Sequence, residues 1–512
     1  MIVKINSGAI SGISGYIVDV EVDISNGMPS ISIVGLPDKA VDEAKERVRG
    51  AIKNSNYGYP SKKIVINLAP ADTRKVGSAF DLPIAIGLLA ASEQINIENL
   101  KRFMIIGELS LDGLLRSVNG ALCHAIAAKE NNIEAIILPE ENAQEANVVT
   151  GLKVYPVKSL IEAVNIISET DKYIPMESNN QDFLEDKTEY LLDFEDVKGQ
   201  ESTRRALEVA ASGGHNILMM GPPGSGKTML ARRLPSILPP LSFEESLECT
   251  KIYSICGLNK INKKGLITSR PFRSPHHSIS YAGMVGGGSP PKPGEITLGH
   301  NGILFIDELL EFKRNLLETL RTPLEDQVVT ISRALSSITY PANFMLVAAL
   351  NPCPCGYHGD RLKECVCTPS QIERYWSKLS APLLDRIDLH LEVPRLSNDE
   401  VINTKLSESS KSIRERVSKA RNLQINRFKD KGIFSNSQMQ PKHLRQHCKL
   451  DDTSTQLLKS AINRLGLSAR AYDRILKVSR TIADMDNSEN IKAQHIAEAI
   501  QYRNLDRKIN WN

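Results

Sequence analysis

Eight consecutive residues, Gly221-Pro222-Pro223-Gly224-Ser225-Gly226-Lys227-Thr228, fill every position of a phosphate-binding loop. Glycines let successive backbone N–H groups curl around phosphate oxygens without Cβ clashes, and a helix starting at the loop adds its positive N-terminal end. Lys227 would reach the β- and γ-phosphates of ATP, and the Thr228 hydroxyl would ligate Mg2+. A second signal is the apolar run Ile303-Leu-Phe-Ile followed by two acids, Asp307 and Glu308. A carboxylate at the end of a core strand can hold Mg2+ through water, which suits Asp307, while Glu308 is placed to polarise the attacking water. Asn351 directly follows a third apolar run, Phe344–Leu350, and its amide can position that water.

These residues need a parallel sheet to bring them together. Asn216–Met220, Gly302–Asp307 and Phe344–Leu350 read as short strands that each continue into polar residues. A helix is expected over Ser202–Ser212 and another from Lys227. Open α/β folds place their chemistry at the carboxyl ends of such strands. Residues 197–398 are therefore read as one ATPase core.

Four of the eight cysteines, Cys353, Cys355, Cys365 and Cys367, crowd the stretch just after Asn351. Four thiolates on a loop of this size can close around structural Zn2+, although the one-residue spacing within each pair is tighter than in most zinc modules. Reduced, unliganded thiols and a redox-active pair are the alternatives. A closed four-cysteine site has no open position for catalysis.

Residues 1–168 form a separate α/β module, with strands at Gly15–Ile24, Ser30–Val34, Lys62–Leu68 and Ala135–Leu138. Its helices are expected at Val41–Asn54, Asp81–Ala91 and Leu122–Lys129. Residues 169–196 turn polar and acidic and read as a linker. Residues 399–512 are helical throughout, with breaks near Gly432 and Gly466. The stretch 411–449 carries eleven Lys/Arg against two acids, a surface that could meet phosphates or simply face solvent. At 512 residues, 41% hydrophobic, 24% charged and a net charge of +3, the composition is that of an ordinary globular protein and commits to no charged partner. No signal-peptide pattern or membrane-length apolar run is visible, so a cytoplasmic protein without membrane contact is expected.

Beyond the phosphate loop, several stretches carry a family signature. They are Gly35-Leu-Pro-Asp38, Asn67-Leu-Ala-Pro70, Gly77-Ser-Ala-Phe-Asp-Leu-Pro83, Phe272-Arg-Ser-Pro-His-His277, Leu298-Gly-His-Asn-Gly-Ile-Leu-Phe-Ile-Asp-Glu308, Asn351-Pro-Cys-Pro-Cys-Gly356 and Leu383-Leu-Asp-Arg-Ile-Asp388. With them the chain resembles, over essentially its full length, the ComM/YifB family of Mg-chelatase-like AAA+ ATPases. The resemblance implies a Lon-protease-like N-terminal α/β domain, an AAA+ core with a parallel sheet and a C-terminal helical lid, assembled as a homohexameric ring. It implies that Arg386 is an arginine finger supplied to the neighbouring subunit's ATP, and that Arg470 is the lid arginine called sensor 2. A guanidinium suits the negative charge developing on the γ-phosphoryl oxygens. Residues 270–299 correspond to the family's inserted loop, and 325–340 to a hairpin facing the central channel, with Arg333 near its tip as a DNA contact.

The resemblance also implies the partner, single-stranded or branched DNA, and the activity: a branch-migration helicase that aids integration of incoming DNA in natural transformation and recombination. A chelatase-like or protein-remodelling ATPase is the alternative. Proteolysis by the N-terminal domain is not expected. It would need a serine beside a lysine, and the segment matching the Lon lysine carries His124, with the serine match near Ser78.

Overall fold

The structure, a computed structural model, describes residues 2–96, 98–176, 190–258, 265–333, 336–360, 362–396, 407–429, 431–503 and 505. The middle of the expected acidic linker, residues 177–189, and the boundary near residue 398 lie outside the described residues.

The N-terminal part opens with a long hairpin, β1 (Ile2–Ser11) and β2 (Ser14–Ser25), followed by β3 (Ser30–Val34), α1 (Lys39–Asn54), β4 (Lys63–Ala69) and α2 (Asp81–Ala91). It continues with β5 (Phe103–Ile105), α3 (Ala121–Glu130), β6 (Ala135–Pro139), α4 (Glu140–Ala146), β7 (Lys153–Val157) and α5 (Leu160–Ser168). The strands form one seven-stranded sheet in the order β3-β4-β2-β1-β5-β6-β7. Alternation along β2 and β4 sends Val18, Val20, Val22, Ile64, Ile66 and Leu68 into the core. Every residue of α2 is buried, as its unbroken apolar run requires. Asp81 at its start is neutralised by a two-pronged bond from Arg47, at 2.6 and 2.9 Å.

The ATPase core begins earlier than the linker reading allowed. Phe194 is fully buried, and the Asp193 carboxylate accepts from the Ser410 backbone, so the end of the acidic segment packs into this core. Then come α6 (Glu201–Gly213), β8 (Ile217–Met220), α7 (Lys227–Arg233), α8 (Phe243–Ile255) and β9 (Phe272–Arg273). The inserted loop holds a tiny ribbon, β10 (Gly286–Gly287) with β11 (Lys292–Pro293). After β12 (Ile303–Ile306) comes a hairpin, β13 (Val328–Arg333) with β14 (Ser336–Pro341), then β15 (Met345–Leu350) and β16 (Leu389–Glu392). The five-stranded sheet has the order β9-β12-β15-β8-β16, and all its pairings are parallel. Glu325 and Asp326, expected in the hairpin, instead end the preceding short helix, Arg321–Asp326.

Beyond residue 407 the described chain is helical: α9 (Ser410–Arg427), the short Pro441–His447, α10 (Asp452–Leu465), α11 (Ala469–Met485) and α12 (Ala493–Gln501). Ile413, Val417, Ile475 and Ile482 share one apolar cluster with Leu207, Ile217 and Val347, so these helices pack directly on the sheet side of the core. Among the described residues, no helix is long and apolar enough to cross a membrane.

Candidate nucleotide site and its surroundings

The phosphate loop leaves the carboxyl end of β8 between β15 and β16, its hydrogen-bonded neighbours. Gly226 has φ +89°, a conformation that admits glycine most readily and turns the chain directly into α7. The structure brings together the three signals found far apart in sequence. Lys227 Nζ donates to the Gly221 and Pro222 carbonyls at 2.7 and 3.0 Å and to Asn351 Oδ1 at 3.2 Å. Thr228 Oγ1 donates to Asp307 Oδ2 at 2.8 Å, which puts both expected Mg2+ ligands at one point. Ser225 Oγ is buried with no hydrogen-bond partner among the described residues, a polar atom left over in the loop. Lys227 is only 8% exposed, and burial lowers its pKa against the pull of Asp307 and Glu308. A charged amine in such a place gains strongly from an anionic ligand. The residues present therefore fit Mg·ATP.

Two further residues grip the loop and escaped the sequence reading. Gln200 Nε2 donates to the Ser225 carbonyl at 2.8 Å, and Arg395 Nη2 donates to the Pro223 carbonyl at 2.9 Å. The break at Gly199-Gln200 just before α6 was the only signal available for the first.

The loop that carries the four cysteines packs against the phosphate loop through Gly356. Gly356, φ +87°, lies against the Pro223 ring, where a Cβ would come within 2.5 Å of the proline. The Arg395 guanidinium stacks over Tyr357 of the cysteine loop at 5.9 Å. Cys353, Cys355 and Cys365 lie 3.3–3.6 Å apart, and all four ligand sulfurs fall within 4.8 Å of one another. Four sulfurs about 2.3 Å from a zinc ion would be about 3.8 Å apart at tetrahedral angles, so the donor set fits the ion.

Arg386 sits at the other end of the sheet. β8 and β16 run parallel with Ile217 opposite Leu389 and Met220 opposite Glu392. Arg386 therefore precedes the amino end of β16, while Gly221 follows the carboxyl end of β8. The paired strands between them span about 10 Å at 3.3 Å per residue. Arg386 is only 7% exposed, ion-paired with Glu325 and donating to the Pro382 carbonyl at 2.7 Å. Arg470, exposed at the start of α11, belongs to the same end. The Arg386 hydrogen bond chiefly lowers the Glu325 pKa, and the nearby charges of Arg470 and Arg474 lower it further. Arg474 also bonds the fully buried Asp388 at 2.9 Å, and Asp388 accepts from Asn216 N at 3.0 Å and faces His215.

Arg333 ends β13, and its Nη2 lies over Gly287 of the inserted ribbon. The tip residues 334 and 335 lie outside the described residues. Hairpin and insertion form one unit: Val329, Ile331 and Tyr340 share a core with Met284 and Val285, and Tyr340 Oη donates to the Pro291 carbonyl at 2.9 Å. In the basic stretch, several arginines are engaged internally. Arg416 pairs with Glu208 and Glu408, Arg421 donates to the carbonyls of Ala211 and Ser212 at the end of α6, and Arg427 pairs with Asp484. Lys411, Lys419, Lys429, Lys431, Lys442, Arg445 and Lys449 are exposed.

Models of the family described as magnesium chelatase, subunit ChlI, match residues 193–401, and the corresponding C-terminal model matches 407–503. A model described as subunit ChlI of Mg-chelatase matches residues 20–142. The chain is 44% identical to the competence protein ComM of Haemophilus influenzae, covering 98% of this chain and 97% of that one. It is 45% identical to YifB of Escherichia coli over 99% and 97% of the two chains. Lon protease 2 of Bacillus subtilis matches 28% of this chain at 31% identity. A strand–loop–helix phosphate site in a parallel sheet, a Lon-like sheet before it and helices behind it agree with these matches: the chain belongs to the ComM/YifB family of Mg-chelatase-like AAA+ ATPases.

Proposed function

We propose that this chain is a ring motor that hydrolyses Mg·ATP to move along or remodel branched DNA, acting as a branch-migration helicase in the uptake and recombination of incoming DNA. The observation that carries the ring is the separation of Lys227 from Arg386 and Arg470 across the sheet. An arginine that cannot reach its own nucleotide can serve one held by a neighbour, and a closed homohexamer gives every site such a donor. DNA as the partner is supported by near full-length similarity to a protein named for competence and by the exposed lysines of the helical region. In this reading Lys227, Thr228 and Asp307 hold Mg·ATP, Glu308 and Asn351 orient the lytic water, and Arg333 touches DNA near the hairpin tip.

Zn2+ on the four cysteines is part of the same proposal. There it would stiffen the wall that Gly356 and Tyr357 build against the phosphate loop. A cytoplasmic site of action suits both the ATP requirement and a cluster of thiols kept reduced.

A three-way DNA junction with a labelled strand tests the proposal. ATP should release the labelled strand, a non-hydrolysable analogue should not, and DNA should raise ATP hydrolysis severalfold. Hydrolysis indifferent to DNA, with no strand release, would refute it.

A further inference from the structure

The N-terminal sheet contains a cleft that the motor reading leaves without a task. Strand β1 pairs with β2 along its whole length, from Ile2–Asp23 to Ser11–Ser14. On its other edge it meets β5 only at Asn6–Met104. Past that point the chain after β5 turns away, with Ile106 N bonding to Ile137 and Gly107 N to Ala79. Gly8–Ser11 are thus left with an open edge, unpaired on that side among the described residues. An open strand edge inside a folded protein is a row of main-chain donors and acceptors in want of partners.

That edge borders a cavity of about 350 Å3 lined by Gly8, Ala9 and Ile10, within the range of pockets that hold small ligands, about 300–1,000 Å3. The ring of His124 on α3 also faces it. His124 is 2% exposed, and its Nδ1 has no hydrogen-bond partner among the described residues. Burial lowers its pKa to about 4, so the ring is neutral near pH 7 and offers one donor and one acceptor. Across the cavity, Ser78 donates to the Glu108 carboxylate. Ser78 and His124, matched separately to the Lon site in sequence, thus line one cleft. The lining contains no lysine of the N-terminal part, and Lys75 bonds the Thr73 carbonyl instead. The N-terminal part thus supplies no lysine to the cleft, and the one lysine of the lining, Lys292, comes from the inserted ribbon.

We propose that this cleft binds an extended polypeptide segment, which adds as a strand to the open edge at Gly8–Ser11. Main-chain pairing would supply affinity, and alternate side chains would enter the apolar wall of Ala9, Ile10 and Val76. Nucleic acid is the poorer occupant, because Glu108 would face its phosphates and Lys292 is the one lysine or arginine in the lining. The roof of the cleft belongs to the motor: Ile338 and Tyr340 of the hairpin and Lys292 of the inserted ribbon close over it. A bound segment would therefore touch the hairpin proposed to meet DNA. This inference goes beyond the motor reading and stands without it.

The test uses the full chain and a permanently unfolded probe, fluorescein-labelled reduced and carboxymethylated lactalbumin, followed by fluorescence anisotropy and by amide hydrogen exchange. Saturating probe should slow exchange at Gly8–Ser11 at least fivefold. Ser117→Trp, which fills the cleft from its half-exposed rim, should weaken binding at least tenfold while basal ATP hydrolysis and the melting temperature stay unchanged. His124→Phe should weaken binding severalfold. Absence of slowed exchange at Gly8–Ser11 overturns the proposal even if a variant fails to fold. Equal binding by well-folded Ser117→Trp protein overturns it as well. Slowed exchange produced by a single-stranded oligonucleotide, and not by the probe, would also overturn it and mark the cleft as a nucleic-acid site.

Discussion

The two ends of the five-stranded sheet are built on opposite plans. At the carboxyl end, Lys227, Thr228, Asp307 and Asn351 bond mostly to one another and to loop carbonyls, and Ser225 Oγ is left over. At the amino end, Arg386 already has a carboxylate partner in Glu325, and Asp388 is held by Arg474 and the Asn216 backbone. One end is arranged to receive a ligand. The other keeps Arg386 and Arg474 paired with carboxylates of the same subunit. The proposed ring motor would need this asymmetry, because a pre-paired arginine does no chemistry until a better anion competes for it.

The comparison breaks first at the receiving end. Lys227→Ala removes the cation that meets the phosphates, and nucleotide binding and hydrolysis should both fall at least a hundredfold in equilibrium binding and phosphate-release assays. Glu308→Gln should keep binding, because Thr228 and Asp307 remain, yet lower turnover by a similar factor. Normal turnover in the second variant would assign water activation to another residue.

The donating end gives the next largest effect. Arg386→Ala should bind ATP almost normally but hydrolyse it at least tenfold more slowly. Mixing it with Lys227→Ala protein at high concentration with DNA should recover activity, since each variant supplies what the other lacks. Mixtures that assemble, by light scattering, yet give only summed activities would show that the arginine does not act across subunits.

The smallest effect concerns the support beneath Arg386. Asp388→Leu strands Arg474 without its buried partner and should cost about 3–5 kcal/mol in denaturant unfolding, the usual range for breaking a buried pair. Nucleotide affinity should stay within about twofold, because the phosphate loop lies at the far end of the strands. A large loss of affinity would mean that the two ends are not independent.

What was legible in sequence follows this division. The receiving end is written in contiguous runs, since a phosphate loop needs its glycines, lysine and threonine side by side, and apolar strands announce the acids and amide that follow them. Three of the five core strands, the helices on either side of the phosphate-loop strand and the helical C-terminal part followed from the same patterning, whereas β9, β16 and α8 did not. The donating end was legible only through family resemblance, because nothing local marks Arg386 as buried or joins it to Glu325 sixty-one residues earlier. The N-terminal cleft was less legible still. The second half of β1, Ser7-Gly-Ala-Ile-Ser11, lacks the β-branched alternation that marks a strand, and the cleft gathers residues from positions as distant as Gly8 and Tyr340. Contacts that depend on where the chain turns away leave no periodicity to read.

Glu308 takes a left-handed backbone conformation, φ +50°, its N–H bonded to Asp307 Oδ1 at 3.0 Å. For a residue with a side chain this costs roughly 1–2 kcal/mol relative to ordinary helical geometry, a penalty glycine escapes. Fold and reaction therefore want different residues at this one position. A library selected only for thermal endurance should drift toward glycine at 308, and on the proposed mechanism that drift would cost turnover.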